Sequence, residues 1–149
     1  KQVVLLKPLT YMNSSGVALR NFYEKYEILQ EKILIVYDDA NIDFGTLRIR
    51  PSGSDGGQNG IKSVIFEMQT DYIPRLRIGI KNDAEFEKIK SSDSGGLADF
   101  VLSEFTDSEY EVLDRLTEAA KDAVLSFIDE GSPETMNRFN KDFLNTENN

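Results

Sequence analysis

Three short polar stretches hold the residues best suited to chemistry: Met12-Asn13-Ser14-Ser15-Gly16, Asp38-Asp39, and Gly53-Ser54-Asp55-Gly56-Gly57-Gln58-Asn59-Gly60. Asp38-Asp39 follows the apolar run Ile33-Leu34-Ile35-Val36-Tyr37, and α/β folds place their sites at the carboxyl ends of such strands. An aspartate there can orient a base or hold a metal, or it can simply shape a turn. Neighbouring strand residues point to opposite sides, so the two carboxylates do not form one metal clamp. The glycine stretch leads into a helical pattern. Glycines expose backbone N–H groups, and a helix N-terminus attracts phosphate or developing negative charge. Its spacing, and the lack of a Lys-Ser/Thr ending, exclude a P-loop and a dinucleotide fingerprint. A plain connection is the competing reading. Asn13 can cap a helix, or its amide can donate to an ester carbonyl.

What is absent narrows the chemistry. The 149 residues contain no histidine and no cysteine. Within this chain, that removes histidine general bases, Ser-His-Asp triads, disulfides and cysteine- or histidine-ligated metal sites. No apolar run approaches the ~20 residues needed to cross a bilayer. We therefore expect no membrane role and a cytoplasmic protein. The net charge of −9 argues against bulk nucleic-acid binding. Its distribution says more: residues 46–81 carry Arg48, Arg50, Lys62, Arg75, Arg77 and Lys81 against three acidic residues, whereas residues 82–149 are strongly acidic. A phosphate-bearing ligand would meet the basic middle.

The elements that must position these residues follow from hydrophobic period. Residues 2–7 read as an apolar strand. Lys1 opens directly into it, which suggests a fragment. A helix runs from about Asn13 to Ile28, with Val17, Leu19, Phe22, Tyr23 and Tyr26 along one side. Residues 32–38 read as a central strand buried on both faces, ending at Asp38. Leu47 and Ile49 alternate with Arg48 and Arg50, and Leu76, Ile78 and Ile80 with Arg75 and Arg77, as in half-buried strands. Ile61 to Met68 is a short helix, 81–96 a loop without clear period, and 107–130 a long helix. Pro133 opens a last short helix. Composition and length fit a single domain, residues 1–149. The alternation predicts an α/β fold with a mixed, mostly parallel twisted sheet packed between helices.

Taken together and in order, several motifs are more specific than any one alone. They are Pro8-Leu9-Thr10-Tyr11-Met12-Asn13-Ser14-Ser15-Gly16, Tyr37-Asp38-Asp39, Gly45-Thr46-Leu47-Arg48-Ile49-Arg50, Gly56-Gly57-Gln58-Asn59-Gly60-Ile61-Lys62-Ser63 and Pro74-Arg75-Leu76-Arg77-Ile78-Gly79-Ile80, followed by Phe100-Val101-Leu102-Ser103-Glu104-Phe105. This set resembles the bacterial-type peptidyl-tRNA hydrolases, over essentially the whole chain.

The resemblance implies an α/β enzyme that works as a monomer without metal or organic cofactor. It would cleave the ester between a peptide and the 3′ end of tRNA. It also implies roles for residues. Asn13 binds substrate near the ester, Asp38 orients a catalytic histidine, and Asn59 positions water or substrate. Tyr11, Met12, Gly57 and Gln58 line the substrate path, and Arg50 and Arg77 meet tRNA phosphates. Three departures stand out. The family's N-terminal segment with its base histidine is not in this sequence, Gln58 stands where members usually carry histidine, and Lys81-Asn82-Asp83 replaces a glycine-rich exit. Ester hydrolysis gains ~100- to 10,000-fold from a general base, so we expect this chain to be impaired. The alternative is a non-catalytic RNA-binding or assembly module on the same fold. A sheet edge left open would allow self-association.

Overall fold

The computed structural model describes residues 1–90 and 96–143. In chain order the elements are α1 (Ser15–Tyr26), β1 (Ile35–Asp43), β2 (Leu47–Arg50), α2 (Asn59–Met68), β3 (Arg75–Lys81), α3 (Asp83–Lys90), α4 (Leu97–Val101), α5 (Asp107–Glu130) and α6 (Ser132–Phe139). Short 3-10 turns cover Met12–Ser14 and Gln30–Lys32. Contacts gather into two units, one of Lys1–Ile33 with Pro51–Pro74, the other of Leu34–Arg50 with Arg75–Asn149.

The second unit contains a mixed three-stranded sheet in the order β1-β3-β2, with β1 parallel and β2 antiparallel to β3. The fold is α/β, as the alternating pattern predicts. Strand alternation gives the sheet two unlike faces. Leu47, Ile49 and Leu76 form one face and pack with Leu116, Ala120 and Ala123 of α5 and Phe139 of α6. Each leucine or isoleucine fully buried this way contributes about 1.5–3 kcal/mol. The outer edge of β2 is closed by the segment after α6. Asn140 accepts the Ile49 N–H through Oδ1 at 2.5 Å, and Leu47 N–H donates to the Lys141 carbonyl at 3.1 Å.

Long α5 matches its expected bounds, because a full capping box marks its start. Thr106 N–H donates to Glu109 Oε2 at 2.8 Å, and Glu109 N–H donates back to Thr106 Oγ1 at 3.4 Å. Asn82 also donates to Glu109 Oε1 at 2.8 Å. Gly131 and Pro133 then set the short turn into α6.

In the first unit α1 and α2 pack together. They approach closely at Gly16, whose N–H donates to Ser63 Oγ at 3.0 Å. A Cβ added there would lie 2.2 Å from the Ser63 carbonyl oxygen. Ile61, Val64 and Met68 are the buried positions of α2, matching the period read from the sequence.

Three expectations need correction. Residues 2–7 form no strand, and Val3, Val4, Leu5 and Leu6 are exposed. An apolar run becomes a strand only when a ladder partner takes up its N–H and C=O groups, and these residues have none among the described residues. The strand expected over 32–38 runs instead from Ile35 to Asp43 and lies at the edge of the sheet. β3 is central, and because β1 continues to Asp43, Asp38 sits within the strand and not at its carboxyl end. In place of a loop over 81–96, α3 occupies Asp83–Lys90 and α4 begins at Leu97; residues 91–95 lie outside the described residues.

Two measurements check these packing arguments. Gly16→Ala should lower stability by about 1–3 kcal/mol in denaturant titration, because backbone must shift to admit the methyl. The second is a pH effect. Burial pushes the Glu109 carboxyl upward, but hydrogen bonds from Thr106 N–H, Asn82 and the Thr106 hydroxyl outweigh it and hold its pKa below the ordinary value. A depressed carboxyl stabilises the fold above the ordinary carboxylate range, and the contribution is lost as pH falls through the folded pKa. Glu109→Gln should therefore flatten the fall in melting temperature as pH is lowered below about 4.3, the ordinary glutamate value. Parallel melting curves for the variant and the parent would contradict this.

Candidate functional site

The first unit holds two of the polar stretches. The 3-10 turn Met12–Ser14 closes when Ser14 N–H donates to the Tyr11 carbonyl at 2.8 Å, and Ser15 Oγ donates to the Met12 carbonyl at 2.9 Å. Neither Asn13 nor Ser14 makes a side-chain cap to α1. The capping alternative for Asn13 is thereby removed. Its side chain is exposed and makes no hydrogen bond among the described residues. Tyr11 and Met12 are also exposed.

The glycine loop is organised from within. Asp55 Oδ1 accepts the Gly57 N–H at 2.7 Å, and the Asp55 carbonyl accepts the Gln58 N–H at 3.0 Å. Gly57 takes φ +82°, a left-handed conformation suited to glycine. The loop's N–H groups are therefore less available than glycine content alone implies. What the loop presents is the start of α2. The first helical bond runs from Lys62 N–H to the Gln58 carbonyl, so the N–H groups of Asn59 and Gly60 precede it. Asn59 is the first helical residue, exposed, with no side-chain hydrogen bond among the described residues.

The Met12–Ser14 turn touches this helix start. A Cβ added to Gly60 would lie 2.8 Å from Met12 Sδ, so Met12 lies over the first turn of α2 and a larger residue at Gly60 would make its side chain move. Asn13 and Asn59 are thus carried on adjoining elements of one unit. Two carboxamides with unengaged donors and acceptors can bind an ester carbonyl, a ribose hydroxyl or a water molecule.

The second unit holds Asp38, Arg50 and Arg77. Asp38 pairs in register with Ile78, on the face that carries Leu47, Ile49 and Leu76. It is exposed and makes no hydrogen bond or ion pair among the described residues. Asp39 turns to the other face, as strand alternation requires. There β3 contributes Arg75 and Arg77, and the antiparallel register sets Arg50 opposite Arg75 and Arg48 opposite Arg77. Asp39 is 1% exposed, and its Oδ2 accepts from Arg77 Nε at 2.7 Å. Burial pushes the neighbouring Tyr37 hydroxyl above its ordinary pKa, with the Arg77 charge opposing. The sequence reading missed Asp39 as a buried ion-pair partner and took Arg75 as outward, although Arg75 is buried. Alternation on β1 and β3 put Tyr37, Asp39, Arg75 and Arg77 on a shared side, and that was the available signal. Among the described residues no cluster of three or more acidic side chains is placed to hold a metal ion, and no helix is long and apolar enough to cross a membrane.

Known proteins resemble this chain in sequence and in fold. A family model described as peptidyl-tRNA hydrolase matches residues 1–148. The peptidyl-tRNA hydrolase of Clostridium novyi (strain NT) is 38% identical over 140 residues, covering 94% of this chain and 70% of that protein. That of Phocaeicola vulgatus is 44% identical over 141 residues, covering 95% and 71%. The crystal structure of peptidyl-tRNA hydrolase from Acinetobacter baumannii superposes with a TM-score of 0.76 at 29% identity, covering 91% of this chain and 65% of that one. The chain therefore spans just under two thirds of the length of that solved structure. On the family match and the similarity of sequence and fold, this chain belongs to the peptidyl-tRNA hydrolase family.

Proposed function

We propose that this chain carries the substrate-binding part of an enzyme that hydrolyses the ester between a peptide and the 3′ end of tRNA. The observation that carries the reading is the pair of exposed carboxamides, Asn13 and Asn59, on elements joined by the Met12–Gly60 contact. In this reaction the oxygen of water attacks the ester carbonyl carbon and the carbonyl oxygen gains negative charge. The bond to the tRNA oxygen then breaks, and that oxygen takes up the proton released by the water. Amide donors aimed at the carbonyl oxygen stabilise the charged state, a role suited to Asn13. Asn59 holds water or the ribose. Tyr11, Met12, Gly57 and Gln58 flank them along the path of the acceptor end.

Asp38 fits the role of a carboxylate that orients an imidazole, because its oxygens are unengaged. The 149 residues contain no histidine, so an imidazole must come from outside them. Arg50 and Arg77 on the other face of the sheet suit tRNA phosphates, whose charge a guanidinium meets through paired hydrogen bonds. Water and ester suffice for this chemistry without a cofactor. On this reading the protein acts as a monomer in the cytoplasm. The lack of histidine favours a second reading, a non-catalytic RNA-binding module on the same fold.

Single-turnover assays on a defined peptidyl-tRNA separate the two. We expect these 149 residues to react ~100- to 10,000-fold more slowly than a histidine-containing relative. Free imidazole should raise the trace rate, and Asn59→Ala should lower it about a hundredfold. A rate equal to the relative's would show that another base operates. No imidazole response and no effect of Asn59→Ala would favour the non-catalytic module.

Binding supplies an independent check. Affinity for deacylated tRNA should fall steeply with salt as phosphates release counterions, and Arg50→Ala should lessen the slope by about one. An unchanged slope would take Arg50 out of the interface.

A further inference from the structure

The arginine face of the sheet has an unusual charge balance. Arg48, Arg50, Arg75 and Arg77 lie in two directly opposed cross-strand pairs, an arrangement that repels when nothing neutralises it. Asp39 is an acidic group bonded to this set, and both of its oxygens are engaged. Oδ1 accepts from the backbone N–H of Asn41 at 2.9 Å and from the Asn41 amide at 3.1 Å. Oδ2 accepts from Arg77 Nε at 2.7 Å. Asp39 is buried, whereas the Arg77 side chain keeps 25% exposure.

The grip is single-handed. A guanidinium offers five N–H donors in a planar fork, and Asp39 takes the one on Nε. The two Nη groups make no hydrogen bond among the described residues. Holding Nε fixes the plane of the fork and leaves the Nη edge for another anion. We propose that Asp39, steadied by Asn41, is a positioning residue that orients Arg77 to receive a tRNA phosphate. The proposal rests on the reading of Arg77 as a phosphate contact. It assigns to the second residue of the Asp38-Asp39 pair a task distinct from that of the first.

Charge alone and positioning predict opposite signs, which makes the proposal testable. Removing a carboxylate from among four arginines should, by charge alone, tighten RNA binding. Loss of positioning should weaken it. The experiment measures affinity of the full 149-residue chain for deacylated tRNA across a salt series, for the parent, Asp39→Asn, Arg77→Gln and the double variant. Asp39→Asn should raise Kd about five- to tenfold and lessen the salt slope by about one, as if one phosphate contact were lost. In the Arg77→Gln background the same change should produce no further loss. Equal or tighter binding by Asp39→Asn, or losses that simply add, would overturn the proposal. No loss on Arg77→Gln would overturn the phosphate reading beneath it as well, and so distinguishes the two failures.

Two further measurements avoid dependence on the folding of a buried variant. Asn41 is exposed, so Asn41→Ala should fold and should weaken tRNA binding about twofold without changing net charge. In the parent protein, the Arg77 Nε–Hε nuclear magnetic resonance signal should persist when tRNA is added while the Nη signals shift. Loss of the Nε signal, or an Asn41→Ala variant that binds as the parent does, would count against positioning by Asp39.

Discussion

Alternation along β3 is the constraint on which the second unit depends. Every other residue of Arg75–Lys81 faces the apolar layer of α5 and α6, and the residues between face the opposite way. β3 is the central strand, so its two neighbours inherit the same division. β2 sends Leu47 and Ile49 inward and Arg48 and Arg50 outward. β1 sends Tyr37 and Asp39 to the arginine side and Asp38 to the other. A slip of one residue would move the leucines and isoleucines out of the core and drive the arginines in. Burial of Leu47, Ile49 and Leu76 therefore fixes the register, and the register places the charges. Gly79 completes the constraint: a Cβ there would lie 2.2 Å from the Asp43 carbonyl oxygen, at the irregularity in the pairing of β1 with β3.

The first unit solves a different problem. It must hold two short polar segments steady without a sheet. It does so by docking α1 on α2 through Gly16 and by laying Met12 over the glycine at the second position of α2. The asparagines that follow from this packing are exposed because the backbone around them is already satisfied. Ser15 and Asp55 take up the local hydrogen-bonding groups, so the Asn13 and Asn59 amides are left unengaged by the fold.

The adjacent aspartates show how one physical rule separates two environments. Asp38 and Asp39 differ by a single step along a strand, yet one is exposed and unengaged while the other is buried and holds an arginine. A buried carboxylate left without its partner is costly, so Asp39 and Arg77 depend on each other. Asp38 carries no such obligation and is free to meet a group from outside these residues.

Much of this was legible in the sequence. Hydrophobic period placed α2, α5 and the inward residues of β2, because those elements bury one stripe or one side and their amphipathic pattern is strong. The motif set from Pro8 through Phe105 pointed to the family, and the roles expected of Asn13, Asp38 and Asn59 came from that resemblance, since residue type and context alone left a cap or a turn open. Other features depended on contacts between residues distant in sequence. The apolar run at residues 2–7 has strand composition, but a strand exists only with a partner. The run around Val36 resembled a central strand, but the parallel and antiparallel pairings of β3 made β3 central instead. Asn140 closing the edge of β2, and Asp39 gripping Arg77, join residues 91 and 38 positions apart. Composition and local period carry no record of such pairings. They are decided when the chain selects a register that buries its apolar side chains and leaves few polar groups unsatisfied.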